Sequence, residues 1–432
     1  MSCGFCNAAT LVPPGPISAT TWTSNDSPYF ISGDVIVSPS ASLTISAGVD
    51  VQFSSLDSSS SGIDPNRVEF IVHGALYIQG TSNAPVIFHA ISNFTAAAWY
   101  GIVSALSNQT LRVTNAIISH AVHGFDFVNS HTLYSIERVQ VTSNAIGFYC
   151  SNAAPQINYA RSYQNGIGLR LESFSFALIH DSAFYANDTG ISLLLGPSVG
   201  GGSANFQMIN CTVDGNGQGI LIGSSNPAAV NLQNLLVTHN GYGIFLDPIT
   251  GTKVELTLDH CDSWGNDTNY FGFTVPTNCI SLDPLYQNLA GTDGLLGTAD
   301  DDFSPSSISP CIDAGNNNYV LNGPFFDLNS HPRLIDDPWT TDHGVTYGTA
   351  PTVDIGACEF QPPLRLVSLT RSNSWWILNY PSASGHSYQP QFTTNFLTWN
   401  DLGGKVTGNG TVQSSKDTGS NSFRFYRVIQ DP

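Results

Sequence analysis

Between Asn144 and Leu246, apolar and polar positions recur in one short phrase, Asn-x-x-Gly-apolar-x-apolar: NAIGFYC, NGIGLRL, NDTGISL, NGQGILI and NGYGIFL. Its asparagines are Asn144, Asn165, Asn187, Asn216 and Asn240, at spacings of 21, 22, 29 and 24 residues. The longest interval holds GPSVGGG (Gly196–Gly202), which reads as a loop inserted into one repeat. Each repeat contains short alternating segments, such as Gly-Ile-x-Ile at Gly219–Ile222, bounded by Gly or Asn. Alternation between turn residues predicts strands. A fixed period in the twenties predicts a solenoid. A leucine-rich repeat would demand L-x-x-L-x-L, which is missing, and a parallel β-helix fits better.

In such a helix each coil stacks on the next at strand spacing, about 4.8 Å. Asn at the first position of the phrase is expected at a sharp bend, in a left-handed conformation. Its amide then bonds the Asn above and below in a ladder of Asn144, Asn165, Asn187, Asn216 and Asn240. The glycine three residues on is expected to permit the next bend. The apolar pair that follows points inward: Phe148/Cys150, Leu169/Leu171, Ile191/Leu193, Ile220/Ile222 and Ile244/Leu246. Upstream, AVHGFDF (Ala121–Phe127) keeps the Gly and the pair but has Ala in place of Asn; downstream, NDTNYFGF leaves the register. The phrase is architecture.

Composition agrees with mostly β structure. Only 10% of the 432 residues are charged, whereas glycine (40) and proline (24) are plentiful, so turns dominate over helix-forming surface. The net charge is -19, carried by 27 Asp and only 5 Glu. Nucleic acid and anionic membranes both call for clustered Lys/Arg, so neither is an expected partner. No run of 18 apolar residues exists to span a membrane. The start, MSCGFCNAATLVPPGP, lacks the pattern of an intact secretory signal. Three lysines, eight cysteines and abundant Ser, Thr and Asn nevertheless suit an extracellular or cell-surface protein.

The run TTWTSNDSPYFISGDVIVSPSASLTISAGVDVQF resembles the first coil and cap of right-handed parallel β-helix proteins of the pectin-lyase-like superfamily. ALYIQGTSNAPVIFHA and WYGIV resemble the coils that follow. LDPLYQN, ISPCIDAG and VDIGACEF resemble the closing segments of secreted bacterial β-helix repeat proteins. Past Pro362–Pro363, the segment with Leu397, Trp399 and Phe425–Val428 resembles a small C-terminal β-sandwich. The expected organisation is an N-terminal segment (1–19), a parallel β-helix with its closing segment (20–361) and a β-sandwich (364–432). The resemblance fixes no activity, because the superfamily holds lyases, hydrolases, epimerases, adhesins and fibre proteins.

Uronate-cleaving β-helix lyases need a cation and an Arg or Lys base. Arg161 and Arg170 are the weak candidates here, being close together in one coil. The N-T-D, D-D, G-H-G and R-I-K series of polygalacturonase-like hydrolases is missing from the repeats; Asp336–Asp337 is a D-D pair outside them. His120, His123 and His131 crowd one coil and read as surface or turn residues. TDGLLGTADDD (Thr292–Asp302) resembles Gly-punctuated acidic loops of secreted bacterial proteins, which implies structural calcium at Asp293, Asp300 and Asp302. Cys150, Cys211 and Cys261 read as buried and unpaired, Cys279, Cys311 and Cys358 allow one disulfide, and Cys3 and Cys6 form a terminal C-x-x-C. Trp375, Trp376 and Trp399 read as sandwich core. Two functions fit. The first is an extracellular structural or adhesive protein, a surface module or filament subunit, with self-association, other surface proteins or a polysaccharide as partners. The alternative is a lyase or hydrolase acting on an acidic polysaccharide.

Overall fold

A computed structural model of the chain describes residues 9–431, apart from 93, 106–108, 130–133, 174, 197–203, 321–325, 338, 349, 363–365, 373–374, 383–385 and 420–422. The loop at Gly196–Gly202, His131, Cys3 and Cys6 thus lie wholly or largely outside the described residues. Three parallel sheets of 11, 11 and 10 strands run the length of a right-handed β-helix, and the chain visits them in rotation. We call them sheets A, B and C. One coil shows the pattern: Arg161–Tyr163 in sheet A, Ile167–Ser173 in sheet B, Phe176–His180 in sheet C. The first strand is Thr10–Val12, so the segment expected to precede the helix contributes strands to sheets A and B.

Inward residues stack into columns because every coil pairs in register with the next. Phe125, Phe148, Leu169, Ile191, Ile220 and Ile244 form one, Phe127, Cys150, Leu171, Leu193, Ile222 and Leu246 another. Nearly all are fully buried in one continuous core. The asparagine ladder runs beside them, at the bend between sheets A and B. Asn144 Nδ2 donates to Asn165 Oδ1 at 3.0 Å, Asn165 to Asn187 at 3.0 Å, Asn187 to Asn216 at 3.0 Å and Asn216 to Asn240 at 2.9 Å. Each Oδ1 also accepts the backbone N–H of the preceding Asn, so every rung closes two bonds.

Two details differ from expectation. The left-handed residue is not the Asn but the one before it: Ser143, Gln164, Ala186, Gly215 and His239 all have φ between 52° and 62°. The bend must precede the Asn for its side chain to turn inward along the ladder. The phrase's glycines make no bend. A Cβ on Gly168 would meet Gly190 O at 2.6 Å and Asn187 Nδ2 at 3.0 Å, so this position is glycine to let coils approach. The ladder also extends past Asn240. Asn266 accepts from Asn240 at 2.9 Å and donates to Asn269, which stands where glycine would. NDTNYFGF loses the glycine but keeps the coil.

Residues 283–361 close the helix by packing on the outside of sheet A. Phe303, Leu328, Ala357 and Cys358 bury Tyr163, Ala183 and Tyr185, while Cys311, Ala314 and Ile355 cover Leu236. Arg333, 1% exposed, ties this segment down. Its Nη2 donates to Ala357 O at 2.6 Å, and Nη1 lies 3.3 Å from Glu359 Oε2. Nε makes an ion pair at 2.8 Å with Asp181 Oδ1 of the helix, out of line for a hydrogen bond.

Among the described residues, six cysteines carry free thiols: Cys150, Cys211, Cys261, Cys279, Cys311 and Cys358. The disulfide allowed among the last three is absent. Cys311 donates instead to Asp262 Oδ2 at 3.4 Å, and Cys279 sits one coil beyond Cys261, its neighbour through the Asp262–Ile280 bridge. The C-terminal domain is two small antiparallel sheets. Its core is Leu378, Tyr380 and Tyr388, not the expected tryptophans. Trp375 is 39% exposed under Lys416, and Arg427 covers Trp399 at 4.2 Å; cations shield these rings on small, one-sided sheets.

Candidate functional site

Between the two inward columns of sheet B, the intervening residue of every repeat points out. In register these are Asp126, Tyr149, Arg170, Ser192, Leu221, Phe245 and Phe271. The column changes character along its length, polar and ionic at one end, apolar and aromatic at the other.

The polar end is closely bonded. Asp126, 1% exposed, accepts from Tyr100 Oη at 3.0 Å and contacts His123 Nδ1 at 2.8 Å through the same Oδ2. Its other oxygen, Oδ1, is buried with no hydrogen-bond partner among the described residues. The His123 ring stacks on Tyr149 with centroids 4.5 Å apart. Tyr149 Oη donates to Glu172 Oε2 at 2.8 Å, and Arg170 Nε donates to Oε1 at 2.6 Å. Burial and the neighbouring Glu172 push the Tyr149 hydroxyl up to about 12. Burial and Asp126 push Tyr100 up likewise. Both phenols therefore stay protonated and donate to carboxylates at neutral pH.

At the other end, Phe245 stacks on Phe271 at 4.9 Å and 3°, with Tyr242 tilted against Phe245 at 5.0 Å. Tyr242 is 39%, Phe271 41% and Leu194 50% exposed. Ser192, Leu194, Gln218, Leu221, Tyr242 and Phe245 line a cleft of about 190 Å³ that holds no Lys, Arg or His. Side chains one coil apart in a parallel register place their rings face to face, so the platform follows directly from the β-helix.

The other expected residues lie elsewhere. Arg161 is on sheet A, donating to Asp301 O at 2.9 Å and Asn329 Oδ1 at 2.7 Å, and it borders a cleft of about 200 Å³ with Arg138 and Tyr159. Arg170 is on sheet B. Proximity in sequence does not make them a pair, because a bend separates them onto different faces. His120 contacts Ser119 and lies edge-on to Phe94, whereas His123 contacts Asp126 and stacks on Tyr149. In the acidic loop, each carboxylate has its own donors. Asp300 accepts from Thr292 and Thr298, which hold it well below the usual carboxylate range. Asp293 accepts from Leu295 N at 2.7 Å, and Asp302 from Ser304 N and Asn329 Nδ2, both at 3.0 Å. Among the described residues, the carboxylates of Asp293, Asp300 and Asp302 do not form a group with ligand atoms within 4.8 Å of one another. Among the described residues, the group of three carboxylates placed to share an ion is Asp313, Asp336 and Asp342.

The family described as Right handed beta helix region matches residues 92–259, the coils that carry the ladder from Asn144 to Asn240. No curated protein matches the chain. Among the described residues, no helix is long and apolar enough to cross a membrane.

Proposed function

We propose that this is an extracellular structural or adhesive β-helix protein, and that it adheres by laying an uncharged polysaccharide chain along the aromatic end of sheet B. The Tyr242–Phe245–Phe271 platform, exposed at Tyr242 and Phe271 and half-buried at Phe245, carries this reading. Sugar rings present flat C–H faces that stack on aromatic rings, while Gln218, Ser192 and Asp247 stand beside the platform to meet hydroxyls. An uncharged glycan suits a cleft without cations in a protein of net charge -19. Electrophoresis through gels cast with soluble β-glucans, xylans and galactomannans tests the idea. Native protein should be retarded by at least one, and Phe245→Ala should weaken that retardation about tenfold, the loss of one well-stacked ring. Equal mobility of the two proteins in every gel would count against it.

A second reading is favoured by one observation. Asp126 bonds Tyr100 and His123 through Oδ2 and keeps a buried Oδ1 with no hydrogen-bond partner among the described residues, and Arg170, paired with Glu172, stands two coils away. That end of the column has the acid, base and cation types that cleavage of an acidic polysaccharide requires.

A further inference from the structure

Asp313 stands in the closing segment with its side chain fully buried, at 0% exposure, and neither carboxylate oxygen has a hydrogen-bond partner among the described residues. A buried carboxylate in that position is normally satisfied by N–H or O–H donors or by a cation. The backbone around it does the opposite. The N–H groups of His343 and Gly344 go to the Asp313 carbonyl at 2.9 Å each, and the Asp313 N–H goes to Asp354 Oδ1 at 2.8 Å. These bonds fix the residue and leave its carboxylate aimed at two others. Asp336, half-buried, and Asp342, exposed, each bring an oxygen so that the three ligand atoms lie within 4.8 Å of one another.

We propose that Asp313, Asp336 and Asp342 bind a hard divalent cation, of which calcium is the natural probe. Two oxygens bound to one ion at ~2.4 Å can be no more than about 4.8 Å apart, so the observed spread fits a shared ion. The donor set is all oxygen, which suits calcium or magnesium over softer metals. Asp342 is open to solvent, so the ion has an entry path and room to keep waters as remaining ligands. The electrostatics point the same way. Burial, then Asp354, Asp342, Asp336 and Asp337, push the Asp313 carboxyl up to about 9, a local excess of negative charge that a cation relieves. The site joins two stretches of the closing segment, around 313 and around 336–342, so the ion would act as a clasp on the outside of sheet A. It differs from the Asp293–Asp302 loop, whose carboxylates are satisfied by hydrogen bonds.

The test uses the full chain, stripped with chelator and titrated with calcium chloride, then magnesium chloride, by calorimetry and by thermal melting. One saturable site should appear, with a rise in Tm as it fills. Asp342→Asn is exposed and should fold normally, yet lose ~10-fold or more in affinity. Asp293→Asn should bind like the native chain. Asp313→Asn supplies an isosteric amide and should bind nothing while melting at least as high as the stripped native chain. Absence of saturable binding of either ion overturns the proposal. So does a site that survives Asp342→Asn unchanged, or one that Asp293→Asn abolishes.

Discussion

Arg333→Met is expected to cost about 3–5 kcal/mol, the usual penalty for removing one partner of a buried ion pair. Arg333 is the buried cation among Asp181, Glu359 and Asp327, and it links the helix to the segment that covers sheet A. Burial already pushes the Glu359 carboxyl well above its ordinary value and Asp327 upward, with Arg333 opposing the rise in both. Without the guanidinium these carboxyls would take up protons or stay buried and unpaired. Methionine replaces the stem's packing, so the loss reports the charge. Differential scanning calorimetry with limited proteolysis should show a lower melting transition and early cleavage within residues 283–361. A melting curve like the native one would mean that the closing segment is held by its apolar contacts alone.

Asn216→Ala is expected to cost about 3 kcal/mol. The side chain accepts from Asn187 N and Asn187 Nδ2 and donates to Phe184 O and Asn240 Oδ1, all buried. Alanine strips the Asn187 N–H of its acceptor and takes one bond each from Asn187 Nδ2, which keeps Ser162 O, and Asn240 Oδ1, which keeps the backbone N–H of residue 216; an orphaned buried group costs about 1–3 kcal/mol and the lost bonds add to it. The rung lies mid-ladder, with intact neighbours on both sides. Asn266, at the half-buried end, should cost less when replaced by alanine. Urea unfolding of the two variants side by side checks the order. Equal effects would mean that the ladder carries no cooperative share of the stability.

Much of this architecture is legible in the repeat. Period, Asn position and the apolar pair define the coil, because stacking turns a sequence repeat into a spatial column. The left-handed position was displaced by one residue, since Ser143, Gln164 and Ala186 give no local sign that they bend. The site was less legible. In NAIGFYC, NGIGLRL, NDTGISL, NGQGILI and NGYGIFL, the residue between the inward pair reads Tyr149, Arg170, Ser192, Leu221 and Phe245. Read down the repeats, that one position already shows the change from polar to aromatic. Arg161 and Arg170 are charged and close in sequence, but a bend separates them onto sheets A and B. The Asp313, Asp336 and Asp342 cluster has no periodic signal, because the closing segment does not repeat and brings together residues up to 29 positions apart (342 − 313) only by folding.

On the proposed function, sheet B holds a glycan without altering it. The most direct measurement incubates the native protein with neutral and acidic polysaccharides, with and without calcium, and follows both retention and chain length by size-exclusion chromatography. At least one neutral polymer should co-elute with the protein and keep its length. Shortening of any polymer, lost in His123→Ala, would contradict it and make the Asp126 end of the column an active site.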